Sequence, residues 1–170
     1  ASGWTAKTNL DNAIYFRTNG TCKSWVSGAS TNGATQYIPP MQAFWVRVTT
    51  GQTNGTLTCN NSVRVHNSLN IYKAYPALDN NLRLTVANEA NGLMDDTYLR
   101  FGTYGTSGFD AEYDAYKLFA EDSVYPQLYT NTGTDDISIN SLSELTGSRD
   151  VPLGFKTLVG GTFTITATLV

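Results

Sequence analysis

The chain is short of charge. Of its 170 residues only 11 are Lys or Arg and 14 are Asp or Glu, 15% in all, against roughly 25% in ordinary soluble domains. The net charge is −3 and the pI near 5.0. With no basic cluster to neutralise phosphates, nucleic acid is not an expected partner. No apolar run approaches the ~18 residues needed to span a membrane as a helix. There is one histidine, His66. A Ser-His-Asp triad would have to use it, at the end of the strand-like run SVRVH, and no nucleophile-elbow motif accompanies it. Two cysteines, Cys22 and Cys59, with no histidine pattern nearby make a poor zinc site. They are either one disulfide, worth ~3–4 kcal/mol in an oxidising compartment, or two reduced thiols. A positively charged apolar leader is also missing, and the composition suits a chain processed for export better than a cytosolic one.

Threonine, in contrast, is the commonest residue, and its branched β-carbon suits a pleated sheet. With so few charges, the exterior must be built from Thr, Ser, Asn and Gly. Strand-like runs occur at residues 11–17, 22–26, 37–48, 56–59, 62–66, 82–86, 96–101, 126–130, 137–140, 151–155 and 161–169. Thr-Asn-Gly recurs at 18–20, 31–33 and 53–55. Asn-Gly is a strong hairpin signal because both residues tolerate positive φ, and the unequal spacing makes these repeated turns, not a sequence repeat. Pro39-Pro40 should open a strand or lie on a sheet edge. The pattern predicts one all-β domain over residues 1–170, an antiparallel β-sandwich of jelly-roll type with at most one short helix. A closed barrel is the alternative.

Residues 95–119, DDTYLRFGTYGTSGFDAEYDAYKLF, pack five acidic and seven aromatic residues into 25 positions. The first part reads as a strand, a Gly-rich turn follows, and 109–119 reads as a short helix or ordered loop. Carboxylate pairs such as Asp95/Asp96 and Asp110/Asp114 pass the loosest test for a glycosidase, as any acidic loop would. Calcium is the more serious proposal, since a hard cation takes six to eight oxygens and Asp95, Asp96, Asp110 and Asp114 lie close in sequence. Against it, the spacing matches no EF-hand, Asp96 on a strand can face solvent, and Asp110 can cap the helix that follows.

Aromatic residues are the other candidate for binding. A glycan would stack on an indole or phenol ring while Asn and Thr side chains bond its hydroxyls. Trp45 alternates out of phase with Phe44 and Val46, which puts it on the more exposed face. Trp25 and Tyr104 adjoin Gly-rich turns and are expected on loops. Core or rim packing is the competing role for all three.

The motifs DNAIYF (11–16), IPPMQAFWV (38–46), NSVRVH (61–66), DDTYLRF (95–101) and GFDAEYDAYKLF (108–119), followed by PQLYT, ISIN and VPLGF, together carry a resemblance. The chain is similar along nearly its whole length to a β-sandwich region near the C-termini of secreted, surface-associated proteins of Bacteroidota exported by the type IX system. That resemblance implies an extracellular, adhesin-like or accessory module with no catalytic motif to carry over. The usual upstream Asn-Pro-Tyr-Pro segment and downstream sorting domain are absent, so the chain is expected to be a piece of a longer polypeptide. Asp122-Ser123-Val124 resembles the O-glycosylation acceptor of these bacteria, which would make Ser123 a modification site. Three readings follow: an adhesion or surface-assembly module, a carbohydrate-binding module of a polysaccharide-degrading enzyme, or a filament subunit that accepts a neighbour's strand along an open edge.

Overall fold

The computed structural model describes residues 4–65, 80–120 and 124–170. His66 and Ser123 lie outside the described residues, as does the rest of 66–79. The strands are β1 (Trp4–Thr8), β2 (Ile14–Thr18), β3 (Thr21–Val26), β4 (Ala29–Ser30), β5 (Thr56–Cys59), β6 (Asn81–Asn88), β7 (Met94–Phe101), β8 (Ala115–Tyr116), β9 (Gln127–Asn131), β10 (Asp136–Leu142), β11 (Leu153–Lys156) and β12 (Phe163–Leu169). They form an all-β sandwich, and the described residues contain no α-helix, only a 3₁₀ turn at Asn61–Val63. Among them no helix is long and apolar enough to cross a membrane.

Asn19 and Gly20 sit at φ 52° and 82° and close β2 onto β3 in a two-residue loop, with Thr18 opposite Thr21. That is the hairpin expected of Asn-Gly. A second such loop, Ser27-Gly28 at φ 44° and 90°, joins β3 to β4. Asn32-Gly33 also turns through positive φ, at 50° and 69°, just after β4. Asn54-Gly55 makes no such turn; Gly55 is there because a Cβ would fall 2.4 Å from a methyl carbon of Leu10.

The large sheet runs β11-β9-β10-β7-β6-β12, with β8 also on β10. Its central pair, β7 and β10, is parallel, a departure from the purely antiparallel sheet expected. One face of that pair packs on the small β2-β3-β4 sheet. Tyr98 and Ile139, cross-strand partners, form a core there with Ala13, Tyr15, Val26, Ala29 and Ala115. On the other face lie the buried Val86, Thr97, Leu99 and Asn140. β9 swings back against β6 and β7, burying Leu128 completely and bringing Thr130 Oγ1 within 3.0 Å of the Asn140 amide that donates to it. Burying Leu128 alone is worth ~1.5–3 kcal/mol. The sheet curls until its two end strands meet at one corner, where the rings of Phe155 and Phe163 lie 5.1 Å apart.

Two expected strands fail, 37–48 and the described part of 62–66, where Asn61–Val63 turns as a 3₁₀ helix. The run 37–48 is not a strand. Pro39 and Pro40 carry no N–H, Met41 sits at φ 67°, and only single bridges form, Tyr15 to Trp45 and Leu10 to Val48. Of the two readings of 109–119, the structure gives the ordered loop, running into the short strand β8. The Asp114 carboxylate turns back to accept the N–H of Asp110 at 2.8 Å, and Ala115 and Tyr116 then join the edge of β10. Local hydrogen bonding by Asp replaced the helical ladder.

Candidate functional site

β7 is buried along most of its length, so its polar side chains need partners inside the protein. Asp95 sits at the centre of that requirement. Its Oδ2 is paired with the Lys117 ammonium and accepts the Leu128 N–H at 2.7 Å, while Oδ1 accepts from Asn32 Nδ2 at 2.6 Å. Lys117 and Asp95 are both almost wholly buried. Asp96, on the opposite face of the strand, is paired with Arg83 and accepts the Asn32 N–H at 2.7 Å. Asp96 therefore does not face solvent, contrary to the alternation argument. Burial pushes its carboxyl upward, opposed by the charge of Arg83. Arg83 also reaches Ser30 O at 3.2 Å and lies over the Tyr98 ring. Together these contacts clamp the end of the small sheet onto the central strand.

Asp110 and Asp114 belong to a separate cluster. Asp110 Oδ1 accepts the Glu112 N–H at 2.8 Å, a local turn rather than a helix cap. Asp114 accepts the N–H groups of Asp110 and Ser141 at 2.8 and 2.7 Å. Burial pushes its carboxyl up to about 6 in spite of those bonds. Beside it the buried Arg100 donates to Ser141 Oγ at 2.6 Å, to Ser27 O at 3.0 Å and to Tyr113 O. A calcium site would need Asp95, Asp96, Asp110 and Asp114 in one set. They occupy two places, and no three Asp, Glu, His or Cys side chains converge as a metal site among the described residues.

The three aromatic candidates are also dispersed. Tyr104 is 39% exposed, but its ring leans on Tyr113 at 5.0 Å and over Arg100 at 5.5 Å, a cation–π contact that holds the loop. Trp25 is on β3 opposite Ile14 and Ser30, not on a loop, and its buried Nε1 has no hydrogen-bond partner among the described residues. Trp45 is 52% exposed, as its phase implied, and its main chain exchanges hydrogen bonds with Tyr15 at 2.8 and 3.1 Å. Cys22 on β3 and Cys59 on β5 are not bonded to each other and lie in different sheets.

Above Asp95 and Asp96 opens a cleft of about 560 Å³, between the β2–β3 hairpin and the turn joining β6 to β7. Thr18, Asn19, Thr21 and Lys23 line one wall, Thr85, Leu93 and Met94 the other, with Asn32 and Tyr125 also at its rim. Because the two carboxylates are bonded to Lys117, Arg83 and Asn32, the polar groups left to the cleft are hydroxyls, amides and one amine, set in a lining that is mostly apolar. Arg83, Lys117 and Asn32 had no legible role in the sequence. The nearest signal was Arg83, the one cation interrupting the apolar alternation LRLTV. The chain matches no curated protein and no solved structure. A family profile matches residues 4–170, and the chain belongs to that family, described as a domain of unknown function (DUF8693).

Proposed function

We propose that the chain is a non-catalytic module of an extracellular or cell-surface protein, contributing to adhesion or surface assembly as the resemblance to type IX secretion substrates implies. The observation that carries this reading is where the chemistry is spent. The acidic residues that first suggest a reactive site hold the sandwich together, while the outward strands β1, β5 and β12 are rich in threonine and almost free of charge. Such a surface binds by shape, hydrogen bonding and apolar contact, so binding should persist at high salt. The test applies the labelled chain to cells of its source organism. Saturable retention that survives about 0.5 M NaCl supports the reading. Absence of retention at any concentration defeats it.

The cleft beside Asn19 favours a second reading, carbohydrate binding. Its threonine hydroxyls, the Asn19 amide and Lys23 suit a polyhydroxylated ligand, and sites of ~300–1,000 Å³ hold small ligands. Affinity electrophoresis across a polysaccharide panel separates the two. Retardation by one polysaccharide that Lys23→Ala abolishes supports a glycan site in the cleft. Retardation abolished by Trp45→Ala alone moves the site to that exposed indole.

A further inference from the structure

We propose that β12 is a self-pairing edge, through which two copies of this chain join their large sheets into one. This rests on the surface-assembly reading and names its partner. Among the described residues β12 is hydrogen-bonded on one side only, to β6. The pairing is regular over all seven residues, from Phe163 opposite Asn88 to Leu169 opposite Leu82. Just beyond each end, the Glu89 N–H donates to Thr162 O at 3.1 Å and the Val170 N–H to Asn81 O at 3.0 Å. Hydrogen-bonded pairs alternate along an antiparallel ladder. The even-numbered residues of β12 therefore point their main-chain groups at β6. Phe163, Ile165, Ala167 and Leu169 point theirs outward.

An open row of alternating N–H and C=O groups accepts another extended strand, and native edges are ordinarily blunted by charge, proline or a bulge. FTITATL has none of these. The missing charge is what selects a second copy. When an edge pairs with itself about a two-fold axis, any charged residue near the axis meets its own like charge. An uncharged strand escapes that repulsion.

One register satisfies every outward group. Centred on Thr166, it sets Phe163 opposite Leu169 of the second copy and Ile165 opposite Ala167, closing about eight main-chain hydrogen bonds. On one face the large residues then meet smaller ones, covering Ile165 and Leu169, which are 48% and 84% exposed, beside the Phe155–Phe163 corner. On the other face Thr164 meets Thr168, and Thr166 meets itself. A strand of seven residues buries less than the ~800 Å² per partner of a standard interface. The expected Kd is therefore of order 10–500 μM, within reach of proteins crowded on a surface.

The test is sedimentation velocity on the chain from about 5 μM to about 1 mM, bracketing that Kd. The expected result is a monomer–dimer equilibrium. Ala167→Pro removes an outward N–H while sparing the ladder to β6, and Thr166→Lys sets two ammonium groups together at the axis. Each should weaken association at least tenfold with an unchanged unfolding midpoint. Mixing Thr166→Lys with Thr166→Glu should restore it, because only the Thr166-centred register opposes these two side chains. A monomer throughout, association indifferent to both variants, or a mixture that stays monomeric overturns the proposal. A monomeric chain that is still retained on cells would sink the self-pairing edge and leave the surface-module reading standing.

Discussion

Replacing Lys117 by methionine removes a cation from the interior and leaves its carboxylate partner behind. The methionine side chain would fill nearly the same volume as the lysine stem, so the change isolates charge from packing. Asp95 would keep two N–H donors, Asn32 Nδ2 at 2.6 Å and Leu128 N at 2.7 Å, but would remain an ionised group almost completely out of water. Breaking one side of a buried pair costs ~3–5 kcal/mol, because the remaining charge is uncompensated. That is a third or more of the total stability of many domains. In the double variant, Asp95→Asn with Lys117→Met, the charge is gone and the amide oxygen still faces the Leu128 N–H. It should recover about 1–3 kcal/mol of the loss, the coupling expected of groups in direct contact. Urea unfolding followed by tryptophan fluorescence at pH 7 gives both numbers, provided the slope with denaturant stays constant. A cost below about 1 kcal/mol for Lys117→Met, or a double variant no better than the single, would refute the claim that this pair holds β7 in place.

Asp114 makes stability depend on pH in the less usual direction. Its folded carboxyl is raised to about 6, so between about pH 4 and pH 6 the folded chain holds a proton that the unfolded chain has released. Stability is then greatest below that window and falls as pH rises through it, by about 2–3 kcal/mol from this group. Asp114→Asn should remove that slope, and a slope unchanged in urea titrations from pH 4 to 7 would contradict it. Gly105→Ala should destabilise by at least ~1–3 kcal/mol, since its Cβ would fall 2.1 Å from the Leu142 carbonyl oxygen; a variant with the parent's midpoint would show that the loop yields. With the carboxylates in two clusters bonded to cations and N–H groups, EDTA should leave the thermal midpoint unchanged and millimolar calcium should not raise it. A calcium-dependent rise of several degrees would restore the metal site.

Elements whose signal is local were legible in the chain itself. Alternation in 82–86 marked β6 because its period is two and Val86 turns to the core, and the β-branched run 161–169 marked β12 although six of its seven residues are exposed. Asn19-Gly20 marked the β2–β3 hairpin because φ is a property of the residue and its neighbours. The phase of Trp45 against Phe44 and Val46 gave its exposure correctly even though the segment forms no continuous strand. The low charge and the threonine content likewise belong to the chain before it folds.

Tertiary structure decided the rest, and the reason is distance along the chain. Asp95 takes its partners from Asn32, Lys117 and Leu128, and no pattern within residues 95–119 encodes where those groups will be. The same acidic spacing would have served calcium, a helix cap or solvent; burial on both faces of β7 eliminated the solvated role and made ion pairing obligatory. The parallel pairing of β7 with β10, and the place of β12 at the end of the described sheet, are properties of strand order, which alternation leaves undetermined. Sequence alone established a low-charge, threonine-rich β-protein built on hairpins. Only the packed sheets turned its acidic stretch from a suspected reactive centre into the clamp that holds the sandwich closed.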